Sequence, residues 1–328
     1  MAYSNTVSTS VFTTRKVIDS AFRRSKINSQ LVTAEYIDIA NDQLYLLLSS
    51  LANQGLQLWC IEKIILPMYD GNGAVPLPTQ TVDVLNSMFR TLQNLTGTVT
   101  TTATQHTTQF DSTTPVSTVG VKWSAASAPL SLQRSDDGAT WTTIQTESPT
   151  AVSGEWSWFD IGTSVAAVYF RVEATSGVLS YDQVFLGNMP TEIPLARLNR
   201  DDYVNLPNKT FTGNRVLQFW FDRQIPQPIM RVWPVPNSGA VTSQIVAWTQ
   251  RYIMDVGTLT EQIEVPQRWY DAIVAQLAVR LNREIPEADA SVRGDLMNDA
   301  KETLYFAQME ERDNSPVRIA PDISCYTR

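Results

Sequence analysis

Histidine and cysteine are nearly missing from this chain, and charge is thin. Its 328 residues include one histidine, His106, and two cysteines, Cys60 and Cys325. A single histidine excludes zinc hydrolases of the HExxH type and every site built on several imidazoles. His106 would have to be the base of any Ser–His–Asp arrangement. Its surroundings, TTTATQHTTQF, hold no acid before Asp111, so it is predicted to be a solvated loop or strand residue. Two cysteines far apart make neither a disulfide framework nor a metal knuckle, and both read as free thiols.

Charged residues are 18% of the chain, 25 basic against 33 acidic, for a net charge of −8. An acidic chain does not grip nucleic-acid phosphates through a basic face. No apolar run approaches the ~20 residues of a membrane span. The longest, from Leu44 to Ala52, is broken by Ser49 and Ser50. The opening MAYSNTVSTSVF lacks the basic and apolar regions of a signal peptide, which predicts a soluble product. No GxxxxGK[ST] loop occurs. Gly71-Asn72-Gly73, between two apolar runs, reads as a hairpin turn and not a dinucleotide loop.

What is present divides into three styles. The first 55 residues read as two helices. Val17, Ile18, Ala21 and Phe22 form one apolar face behind a Thr14 cap. Ile37, Ala40, Leu44, Leu47, Leu48 and Leu51 form a second stripe behind Thr33. From Leu58 the period changes to that of strands: LWCIEKIILP, an extended edge at Val75–Pro78, and Val82 to Arg90.

Composition then shifts. Eleven of the 23 residues from Thr96 to Thr118 are threonine, and Asp111 is the only charge between Arg90 and Lys122. From Thr96 to Pro190 three basic residues (Lys122, Arg134, Arg171) face eight acidic ones, a local net of −5. VGVKWSA, PLSLQRS, TWTTIQT, EWSWFDI, AAVYFRVEAT and YDQVFLGN read as short strands of a β-sandwich, with Asp136-Asp137-Gly138 as a hairpin turn. After Pro190, Val216–Asp222 is predicted to pair with Pro228–Val232, and Gln244–Ile253 to be a central strand. Pro266 to Ile285 and Glu287 to Arg312 read as two helices, separated by Pro286. The stripe Val292, Leu296, Ala300, Leu304 and Ala307 on Glu287–Arg312 is thin, which predicts either a solvated arm or a helix packed against other subunits.

Five segments in order, LANQGLQLW (51–59), PLPTQTVDV (76–84), LNRDDYVNLPNK (198–209), FDRQIPQPIMRVWPVP (221–236) and VPQRWYDAIVAQLAVRL (265–281), resemble the head-to-tail adaptor, or head-completion, proteins of short-tailed bacteriophages. The resemblance implies an α+β fold. A mainly helical adaptor domain with a small antiparallel β-part (1–95 and 190–314) would carry an inserted all-β sandwich, jelly-roll or immunoglobulin-like (96–189). It implies a structural protein and not an enzyme: a homo-oligomeric ring of twelve copies between portal and tail, made in the host cytoplasm and placed at the head–tail junction of the virion. The ring would extend a channel through which genomic DNA passes without specific binding, and would carry tail nozzle or tail fibre proteins. No cofactor, metal or membrane is implied.

On this expectation Val292, Leu296, Ala300, Leu304 and Ala307 make subunit contacts. An extended tail, 315–328, docks on the portal protein through Pro316, Val317, Ile319, Pro321, Ile323 and Tyr326. The alternative is a carbohydrate-binding decoration or attachment protein acting through the sandwich. Ser135-Asp136-Asp137-Gly138-Ala139-Thr140-Trp141 and the later YFRV (169–172) resemble galactose-binding-like jelly rolls or immunoglobulin-like modules. Trp156 and Trp158, two apart on one strand, share a face. They are candidate glycan contacts, or else core residues of the sandwich.

Overall fold

A computed structural model describes residues 12–52, 58–253 and 258–310. In chain order the elements begin with α1 (Thr14–Arg24), α2 (Ala34–Ala52), β1 (Ile61–Pro67), β2 (Ala74–Pro76), β3 (Thr81–Asn94), β4 (Thr98–Thr101) and β5 (Gln105–Trp123). There follow β6 (Leu130–Ser135), β7 (Thr142–Glu147), β8 (Trp156–Ala174), β9 (Tyr181–Pro194), β10 (Ala196–Leu198) and α3 (Arg200–Val204). The rest are β11 (Thr212–Gly213), β12 (Gln218–Asp222), β13 (Ile229–Trp233), β14 (Val235–Pro236), β15 (Gln244–Arg251), α4 (Tyr270–Glu284) and α5 (Arg293–Glu310). Strands hold 41% of the residues and helices 28%, so the expectation of an α+β fold built on a mainly helical adaptor domain is corrected.

The chain forms two compact units, 1–61 with 252–328, and 62–251. The first is helical. Lys16 N donates to the Thr13 hydroxyl, so the cap of α1 lies one residue before the expected Thr14. The apolar faces of α1 and α2 meet Ile273, Leu277 and Leu281 of α4 in one core. Arg24 at the end of α1 pairs with Asp271 on α4 and Asp299 on α5, both at 2.7 Å. Val292, Leu296, Ala300 and Ala307 are buried in this same core and Leu304 packs against it. The stripe expected to contact other subunits is therefore covered within its own chain. Tyr305 and Phe306, each 57% exposed, lie off that stripe.

The second unit is mostly strand, with one short helix, α3. Nine strands form one sheet in the order β1-β15-β3-β9-β5-β8-β6-β7, with β4 added on β5. A four-stranded sheet, β10-β12-β13-β2, and a parallel pair, β11-β14, complete it. Val84, Phe89 and Ile245 of the large sheet share a core with Phe219, Met230 and Val232 of the smaller one. The expected pairing near 216–232 is present, with Phe221 opposite Met230. The Gly71 turn does not join a hairpin: β1 lies beside β15, whereas β2 pairs with β13.

The expected division at 95/96 and 189/190 differs from these units. β9 runs across 189/190 and pairs with β3, which ends at Asn94, from Met88 to Asn94, so the large sheet takes strands from both sides of the expected division. The residues of the expected insert still gather a core of their own. β5 and β8 are 19 residues each, far above the usual five or six. Their register jumps between Gln109 and Thr114 and again between Val116 and Thr118, and such irregularities bend a strand. Phe110, Phe170 and Val172 on one side of the jumps share a core with Val119, Phe159 and Leu186 on the other. One sheet thus closes over itself as a sandwich.

Candidate functional site

Near their outer ends β5 and β8 alternate strictly. His106, Thr108 and Phe110, and Phe170, Val172 and Ala174, are buried. Gln105, Thr107 and Gln109, and Tyr169, Arg171 and Glu173, take the opposite face, because successive side chains of a strand point to opposite sides. The register sets Gln105 against Glu173 and Thr107 against Arg171. On the other side of β8, Gln133 of β6 stands against Arg171.

These side chains form a continuous polar line. Gln105 Nε2 donates to Glu173 Oε1 at 2.6 Å, and Gln133 Nε2 donates to Glu173 Oε2 at 2.8 Å. Arg171 Nε donates to Gln133 Oε1 at 2.8 Å, and a second guanidinium nitrogen reaches the same oxygen. That nitrogen also lies 3.4 Å from Glu173 Oε2, with the Arg171 side chain 15% and the Glu173 side chain 26% exposed. A carboxylate only accepts, so both glutamines must turn their NH2 groups to Glu173. The Gln105 side-chain oxygen Oε1, Arg171 Nη1 and the Tyr169 hydroxyl make no hydrogen bond among the described residues.

Aromatic rings flank the line. The Arg171 guanidinium carbon lies 4.0 Å from the Trp141 ring centroid. Trp141 meets Tyr169 edge-on at 6.5 Å. Trp141 is held by the turn before β7. Asp137 Oδ1 accepts from Ala139 N at 2.9 Å, Thr140 N at 2.8 Å and the Ser135 hydroxyl at 2.8 Å. These bonds, led by Thr140, hold the Asp137 carboxyl far below the usual range. That carboxylate is engaged as turn chemistry. Gly138 takes a left-handed φ of +73°, and an added Cβ would come within 3.2 Å of the Tyr169 ring.

Trp156 and Trp158 lie elsewhere. Their rings stack at 4.8 Å and 9° on the face of β8 opposite Phe159. Trp156 is buried, its backbone N–H donating to the Tyr69 hydroxyl at 3.2 Å. Trp158 packs on Gly120 and edge-on to Phe185 at 5.4 Å. Both indole N–H groups are buried without a hydrogen-bond partner. The pair shares a face, as its spacing requires, with Trp156 buried and Trp158 half-buried on the side of β8 away from Phe159. His106 is likewise buried, not solvated. Its Nδ1 lies 2.9 Å from the Tyr181 hydroxyl and its Nε2 lies 3.3 Å from the Thr108 hydroxyl. The candidate portal-docking residues Pro316, Val317, Ile319, Pro321, Ile323 and Tyr326, and also Cys325, lie outside the described residues.

Of the residues brought together, Trp141 and Tyr169 stood in motifs visible in the sequence. Gln105, Gln133 and Glu173 did not. The available signal was the polar alternation of YFRVEA and of QHTTQF, without any indication that these strands are neighbours.

No protein-family model matches this chain, and no curated protein matches it. Among solved structures the chain is similar to chitosan-binding module 1 of a chitosanase/glucanase from Paenibacillus sp. IK-5. That match has 24% identity and a TM-score of 0.22, and covers 26% of this chain and 67% of that one. It is also similar to CBM32-1 of a family 31 glycoside hydrolase from Clostridium perfringens, with 9% identity, a TM-score of 0.24, and 39% and 94% of the two chains covered. A third is a module described as CpGH89CBM32-6, produced by Clostridium perfringens, with 14% identity, a TM-score of 0.23, and 38% and 92% covered. The resemblance to phage head-to-tail adaptors is overturned, together with the adaptor and connector assignment that followed from it. The chain holds more strand than helix, and the segments that carried the resemblance are divided between two units.

Proposed function

We propose that unit 62–251 binds carbohydrate on the outer face of β5, β8 and β6, and that the site binds without reacting. The observation that carries this reading is the line Gln105–Glu173–Gln133–Arg171 beside Trp141 and Tyr169. A sugar presents adjacent hydroxyls, each both donor and acceptor, above an apolar face of C–H groups. Planar amide, carboxylate and guanidinium groups meet adjacent hydroxyls in pairs, and aromatic rings meet the C–H face. Each polar group here is oriented by its neighbour before any ligand arrives. Little side-chain freedom is then lost on binding, where an unrestrained polar side chain would lose about 0.5–1.5 kcal/mol.

Affinity electrophoresis of the full chain in gels cast with neutral and anionic polysaccharides, together with a glycan array, tests the reading. Wild-type protein is expected to be retarded by at least one glycan. Trp141→Ala should abolish the retardation, while Trp248→Ala, at a tryptophan 43% exposed on β15, should keep it. Absence of binding to every glycan, or retention by Trp141→Ala equal to wild type, would overturn it.

A further inference from the structure

We infer that this face takes a chain of uncharged sugars laid across the strands, rather than one terminal sugar; the inference rests on the carbohydrate reading above and narrows it. The register aligns one row of side chains across five strands: Thr143 on β7, Gln133 on β6, Arg171 on β8, Thr107 on β5 and Thr100 on β4. Neighbouring strands lie about 4.8 Å apart, close to the length of one pyranose residue in an extended chain. Each strand therefore offers a hydrogen-bonding side chain at about the repeat of the sugars. β4 pairs with β5 alone, and it lengthens the row by one step beyond the Gln105–Glu173 end of the polar line.

The charge pattern selects the class of chain. The β4 and β5 part of the row holds only hydroxyls, and Asp111 is the only charge between Arg90 and Lys122. The charges of Arg171 and Glu173 face each other at 3.4 Å. Segment 96–190 carries a net −5, which repels a polyanion. A row of neutral donors and acceptors on an acidic surface fits a neutral polysaccharide.

A glycan array bearing neutral and anionic oligosaccharides of one to six units, probed with full-length protein, tests both parts. Binding should strengthen with length for neutral chains. Thr100→Ala/Thr107→Ala should weaken binding of the longest neutral oligomers about tenfold, the loss of roughly two neutral hydrogen bonds. Monosaccharides and disaccharides, seated at Trp141 and Arg171, should be unaffected. The inference fails if a monosaccharide binds as tightly as the longest oligomer, if the double variant weakens all lengths equally, or if anionic chains bind best. In each of those cases the carbohydrate reading stands. If no glycan of any kind binds, both fall.

Discussion

The guanidinium carbon of Arg171 sits 4.0 Å from the ring centroid of Trp141, joining a strand residue to the turn before β7. A cation over an aromatic face contributes about 0.5–2 kcal/mol, more as the pair is desolvated. Trp141→Ala should therefore lower stability as well as remove the flanking ring. For a unit of this size each kcal/mol shifts the melting temperature by about 2–4 °C. A calorimetric scan should show a drop of a few degrees. An unchanged melting temperature would mean that Arg171 is not stacked in solution.

Gly120 checks the position of Trp158. An added Cβ would lie 2.3 Å from that ring, closer than any van der Waals contact, and the ring is held on its other side by Trp156. Overpacking of this kind typically costs 1–3 kcal/mol. Gly120→Ala should lower the urea midpoint accordingly. Gly154→Ala, with nothing within 4 Å of its added Cβ, would change stability through backbone strain at φ +88° alone. Equal effects at the two positions would argue against the packing at Trp158.

Arg90 is 4% exposed and holds two carboxylates, Asp160 at 2.8 Å and Glu192. Lys63 also reaches Asp160, at 2.7 Å. Burial works to raise the Asp160 carboxyl, but hydrogen bonds from Lys63 and Arg90 outweigh it and leave the group below its ordinary range. Removing one partner of a buried pair costs about 3–5 kcal/mol, so Arg90→Met should be strongly destabilised at neutral pH. A carboxyl lowered in the fold contributes stability that is complete above its unfolded value near 3.9 and is lost as pH falls through the folded one. The gap between variant and wild type should thus narrow below about pH 4. A gap independent of pH down to 2 would contradict the pairing.

His106 makes the opposite test at milder pH. Burial pushes its imidazole below the ordinary value of about 6.5, favouring the neutral ring. The unfolded chain then binds more protons than the folded one below that pH. Stability should decline as pH falls from about 6.5, by at most about 1.4 kcal/mol per unit, and level off below the folded-state value. No other histidine exists to share the effect. Urea midpoints measured from pH 7 to 5 should slope for wild type and flatten for His106→Gln. A flat wild-type profile would place the ring in solvent.

Elements decided by neighbours in sequence were legible. The faces Val17, Ile18, Ala21, Phe22 and Ala40, Leu44, Leu47, Leu48, Leu51 are buried as their spacing requires. Val82–Arg90 lies inside β3, Gln244–Ile253 covers the interior strand β15, and Asp136-Asp137-Gly138 turns between β6 and β7. The strand-forming segments of 58–90, 96–190 and 216–253 are legible as strands; the excess of helix is an expectation that only the adaptor resemblance carries, and the structure corrects it. The polar neighbours Gln105 and Thr107 make His106 read as a solvated residue. Its alternation with Phe110, at an even spacing of four, puts it on the buried side.

By itself the sequence settles the local periods, the caps and turns, and the scarcity of histidine, cysteine and charge that leaves few kinds of chemistry open. Only the tertiary structure decides which strands become neighbours. Gln105 and Glu173 are 68 residues apart, and Gln133 and Arg171 are 38 apart, yet they form one line because β8 lies between β5 and β6. The side-chain period along a strand is two, so a slip of one residue in any pairing would turn half of that line into the core. Register of that kind is fixed by packing between distant segments, through Phe110, Phe170, Val172 and Leu132 on the buried face, and by nothing that adjacent residues contain.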